Sequence, residues 1–98
     1  MQYNDFIKLT EKRTPVEKLS GIHLALWYLF KDNWEMAHKT AQKLNTQTAC
    51  WLHAYLHRVE GDMGNADYWY GRANMESTII PLETELNDII KSVFINIF

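Results

Sequence analysis

A single cysteine, Cys50, rules out an internal disulfide, so packing rather than cross-linking must hold this chain together. Its predicted place inside an apolar helix reads as a buried thiol in a reducing compartment. Proline and glycine are also scarce, two and four respectively. They fall where helices would begin or end, which argues against strands and against a flexible linker. No stretch approaches the roughly 18 consecutive apolar residues of a membrane span, and Met1 to Lys12 lacks a signal-peptide core. No membrane association is expected, and the cytoplasm is the expected compartment. An excess of positive charge is missing too. Ten basic and twelve acidic side chains give a net charge of -2, with no Lys/Arg cluster interleaved with aromatics. A nucleic-acid partner is therefore not expected.

What is present is apolar and aromatic. Hydrophobic residues make up 47% of the 98, enough for one core but not two, so residues 1–98 read as a single domain. Thr14-Pro15-Val16-Glu17 has the form of a helix start, with Thr14 as cap, Pro15 in the first turn and Glu17 reaching back. Asp32-Asn33-Trp34-Glu35 repeats that logic, and Asp62, just after Gly61, forms a third start. These signals divide the chain into helices at roughly 5–12, 15–31, 33–44, 47–60, 63–74 and 81–97. Short connections make consecutive helices antiparallel neighbours, so the predicted fold is all-α, built of antiparallel helical hairpins.

An offset of 29 residues superimposes Ala25 on Ala54, Trp34 on Met63 and Ala37 on Ala66. Gly61-Asp62 followed by Ala66, Tyr70 and Ala73, with Ala54 in the preceding helix, resembles the second half of a tetratricopeptide repeat. Asn33 to Ala37 with Ala41 is a poorer copy. Over residues 18 to 74 the resemblance implies a right-handed stack of five to six helices. The chain departs from that family in lacking its Leu-Gly pair and in its shorter period. A narrower run, His53-Ala54-Tyr55-Leu56-His57-Arg58-Val59-Glu60-Gly61-Asp62 with Asn65-Ala66 and Tyr68-Trp69-Tyr70, preceded by Trp34 and Ala37-His38, resembles a family of small, chiefly bacterial proteins with no established activity.

At 100° per residue, Leu52, Leu56 and Val59 share one stripe of the fourth helix. His53, His57 and Glu60 share the next, and Trp51, Ala54, Tyr55 and Arg58 lie opposite. Apolar groups on two sides make this the central helix. His53 and His57, four apart, point two imidazoles at one place, and Glu60 could supply a third ligand for a divalent metal. The reading that the sequence favours is ring packing with local hydrogen bonds, and no cofactor is expected. In the fifth helix Asn65, Tyr68 and Arg72 form a polar stripe that, with Arg58, would suit a carboxylate or peptide. The same arginines also read as helix-locking partners of Glu60, Asp62 or Asp67. Trp27 with His23, and Trp34 with His38, read as ring packing. Ser20, Ser77 and Ser92 lie in no nucleophile elbow, and Cys50 has no activating neighbour.

Leu82, Leu86, Ile89, Ile90, Val93, Phe94, Ile97 and Phe98 form an apolar stripe along the last helix. It must be covered by the chain's own helices or by a second copy, making a homodimer possible. Stacked hairpins without a catalytic motif lead first to a protein- or peptide-binding adaptor. The alternative is a small-molecule- or metal-binding protein or enzyme using His53, His57 and Glu60.

Overall fold

The computed structural model describes residues 1–94, so the expectations for Ile97 and Phe98 lie outside the described residues. The described chain is all-helical: α1 Tyr3–Leu9, α2 Gly21–Phe30, α3 Trp34–Gln42, α4 Gln47–Val59, α5 Met63–Arg72 and α6 Leu82–Val93. None of these helices is long and apolar enough to cross a membrane.

Helix starts follow from side chains that accept orphan backbone N–H groups. Asp62 Oδ1 accepts from Asn65 N at 3.1 Å, and Gly61 turns the chain with φ 84, both as the sequence indicated. At the α2–α3 turn the cap is Asn33, whose Oδ1 accepts from Met36 N at 3.1 Å, while Asp32 takes the left-handed φ of 56. Thr46 caps α4 by accepting from Ala49 N at 3.2 Å.

The expected start at Thr14 is corrected. Residues 11–20 make turns, including Leu19 N to Val16 O at 3.0 Å, and α2 begins only at Gly21. Ser20 is extended and Gly21 has φ 56, a left-handed conformation that interrupts right-handed helix propagation and re-aims the chain. That break lets Leu19 turn inward, where it is buried.

α2 packs on α3, α4 on α5, and α3 on α4, so successive hairpins lie side by side, with α6 against the other flank of α4. α4 is the central element, burying Leu52, His53, Ala54, Tyr55, Leu56 and His57 among others. Phe6, Leu26, Trp27, Leu52, Leu56, Ile89 and Phe94 form the main core. A smaller cluster of Ala54, Ala66 and Tyr70 joins α4 to α5. Ala37, Ala41, Ala54, Ala66 and Ala73 are all essentially inaccessible, which lets the helix backbones approach closely. Ile90 and Phe94 are buried by the chain itself, with Phe94 against the rings of Tyr3, Phe6 and His23. His23 therefore meets Phe94 rather than Trp27. Trp27 instead meets Tyr28 and donates its Nε1–H to Leu9 O at 2.8 Å.

Candidate functional site

The stripe His53–His57 of α4 faces α3 and α5 and is closed in by rings from both. On the α3 side Trp34 stacks on His38, with centroids 4.9 Å apart and planes within 9°. Trp34 is held by donating its Nε1–H to Leu56 O at 2.7 Å. On the α5 side Trp69 stacks on His53 at 3.8 Å and 12°. Because α3 crosses α4 at this level, His38 enters beside the two α4 histidines: its centroid is 4.5 Å from His53 and 5.1 Å from His57. His53 and His57 stack at 5.0 Å.

One ring nitrogen from each of His38, His53 and His57 lies within 4.8 Å of the others. His38 Nε2 and His53 Nε2 are 2.9 Å apart, a hydrogen bond that needs one protonated and one bare nitrogen. Burial pushes the His53 pKa down to about 3, with the neighbouring His38 and His57 adding to the effect; burial also lowers His38. Both rings are therefore neutral near pH 7, the state in which imidazole binds metals. Among the described residues, His53 Nδ1 is the buried side-chain nitrogen that lacks a hydrogen-bond partner. Whichever tautomer His53 adopts, this atom is left unsatisfied, at a cost of about 1–3 kcal/mol. A leucine at position 53 would avoid that cost.

His57 is held differently. Its Nδ1 lies 2.8 Å from Glu60 Oε1, so the carboxylate fixes the ring and leaves Nε2 as the available ligand atom. Glu60 thus sits behind a histidine rather than beside it. The sequence-derived trio His53, His57 and Glu60 is gathered in space, but His38, read from the sequence as ring packing, supplies the third imidazole. The signal for it was its four-residue spacing from Trp34. What was missing was the level at which α3 crosses α4. A second group, His57, Glu60 and Asp62, also lies close enough to share an ion. Asp62, however, is committed to capping α5 and to Asn65 Nδ2 at 2.6 Å.

Comparison with known protein families, curated proteins and solved structures finds no match.

The remaining candidate residues do not join this cluster. Asn65 serves the α5 cap, and Arg72 donates to the exposed Tyr68 hydroxyl at 3.1 Å while lying 5.2 Å from the Trp69 ring centre. Arg58 leaves this region altogether. The expected pairing of Arg58 and Arg72 with Glu60, Asp62 or Asp67 is corrected, because those carboxylates are engaged by His57, Asn65 and Ser77. Arg58 Nη1 instead donates to Glu85 Oε1 at 2.6 Å, and its Nη2 donates to Ile80 O at 2.7 Å. Glu85, only 1% exposed, also accepts from Trp51 Nε1 at 3.0 Å and from the Tyr70 hydroxyl. Burial would lower the Arg58 pKa, but the hydrogen bond and charge of Glu85 more than offset this and raise it. Burial and the same carboxylate raise Tyr70. Sequence reasoning missed Glu85, although its spacing from Leu82 and Ile89 places it on the apolar stripe of α6.

Proposed function

We propose that this protein binds a divalent transition metal, zinc above all, through His38, His53 and His57, with Glu60 fixing the His57 ring from behind. The observation that carries the reading is the convergence of three imidazoles, one ring nitrogen of each within 4.8 Å of the others. Zinc–nitrogen bonds of about 2.0–2.1 Å require ligand nitrogens roughly 3.4 Å apart, so the His38–His53 contact must open by about half an ångström. Three protein nitrogens leave a fourth coordination position for water, the pattern of sites that activate water or polarise a bound oxygen.

Titration with zinc chloride, followed by calorimetry and thermal melting, tests the proposal. At a hundredfold excess over Kd the melting temperature is expected to rise by roughly 10–20 °C. His38→Ala is expected to abolish the rise, and Glu60→Gln to weaken binding about 10- to 100-fold. No shift at saturating zinc, or an undiminished shift in His38→Ala, would retire the reading.

A protein- or peptide-binding adaptor is the second reading. Its support is the open surface where exposed Tyr68 meets Arg72, and the side-by-side arrangement of α2–α3 and α4–α5, which suits a tetratricopeptide-like stack. The convergence of the three imidazoles favours the metal reading over this one.

A further inference from the structure

On the side of α4 away from the histidines, a cavity of about 320 Å3 opens where α4, α5 and α6 meet the connection 73–81. Trp51, Tyr70, Met75, Thr78 and Ile80 line it, together with the carboxylates of Glu76, Glu85 and Asp88. The connection has no regular structure but is fastened along its length. Gln47 Nε2 donates to Ala73 O at 2.9 Å, the Ser77 hydroxyl to Asp67 Oδ1 at 2.6 Å, and Arg58 to Ile80 O at 2.7 Å. The cavity is thus a built feature of the fold, not a gap under a loose loop.

Its chemistry is one-sided. The indole N–H of Trp51 and the hydroxyl of Tyr70 are both committed to Glu85, and Tyr70 is buried, so what the half-buried Trp51 ring offers a ligand is aromatic carbon surface. The Glu85 charge is balanced by Arg58. Glu76 and Asp88 have no such balance: neither carboxylate makes an ion pair or a hydrogen bond among the described residues. Aromatic surface beneath uncompensated carboxylates attracts cations and repels anions. A metal ion would not use the ring surface, whereas an alkylammonium uses both, with its carbon chain on Trp51 and Met75 and its charge toward Asp88 and Glu76. The volume, at the lower end of the roughly 300–1,000 Å3 range of ligand pockets, matches a small molecule.

We propose that this cavity binds a small free organic ammonium ion, a site separate from the histidine cluster and independent of its metal. Titration of the full chain with butylammonium chloride in the presence of EDTA, followed by proton–nitrogen NMR, tests it. The expected result is a saturable shift of the Trp51 indole N–H resonance while that of Trp34, at the histidine cluster, stays still. Neutral butanol is expected to bind at least about tenfold more weakly. The double variant Glu76→Gln, Asp88→Asn, which alters two exposed and unpartnered groups, is expected to lose about tenfold in affinity for butylammonium without loss of fold. Equal binding of butanol and butylammonium, unchanged affinity in the double variant, or no saturable shift would each overturn the proposal. So would binding of a lysine-containing peptide without binding of the free amine.

Discussion

At the scale of single residues the molecule buries two polar groups, His53 and Glu85, and both carry predictions. An unfolded histidine titrates at 6.5, but burial holds His53 at about 3. Below pH 6.5 the unfolded chain therefore takes up a proton that the folded chain refuses, whereas above that value both states are neutral and the term is constant. Stability of the metal-free protein is expected to fall by about 1.4 kcal/mol per pH unit from this group as the pH drops from 6.5 toward 3. His38, also lowered, steepens the fall. Urea midpoints measured in EDTA check this: His53→Asn should flatten the profile just below neutrality, and an identical slope in wild type and variant would disprove the assignment. Glu85 is the second case. Glu85→Ala strands the Arg58 cation and leaves the Trp51 and Tyr70 donors unpaired, so a loss of about 3–5 kcal/mol is expected. A chemical denaturation midpoint within experimental error of wild type would show that the network relaxes into water.

At the scale of the helices, the close approach of α4 and α5 rests on Ala54 and Ala66, both fully buried. Ala66→Leu inserts three carbons where backbones meet and is expected to destabilise by about 1–3 kcal/mol. The same change should disturb the neighbouring Trp69–His53 stack, seen as altered near-ultraviolet circular dichroism. An unchanged midpoint would mean that the two helices part freely. The helix pattern itself was largely legible from the chain. α4 showed apolar groups on two sides, and Gly61 with Asp62 marked the α4–α5 turn. The stretch before α2 was not legible, because Thr14-Pro15 offers a sound local start and only the left-handed Gly21 vetoes it.

At the scale of the whole molecule, α6 and the residue after it close the core. Phe94, 1% exposed, sits among Tyr3, Phe6 and His23, so both ends of the described chain meet there. Phe94→Glu is expected to unfold the protein, since even truncation of such a ring costs about 3–5 kcal/mol. Sedimentation together with circular dichroism separates the outcomes: an unfolded monomer agrees with an internal cap. A dimer that dissociates into folded monomers would instead reveal a second copy on this helix.

The sequence by itself determined the helical class, most helix boundaries, the centrality of α4 and the pairing of His53 with His57, because periodicity and capping are local properties of the chain. It also brought Glu60 to His57, three residues on, at the C-cap of the same helix. Only the tertiary structure decided that His38 completes the histidine cluster and that Arg58 turns to Glu85. Both depend on the level at which one helix crosses another. A shift of one helical turn, about 5.4 Å, would carry either partner out of reach without changing any local signal.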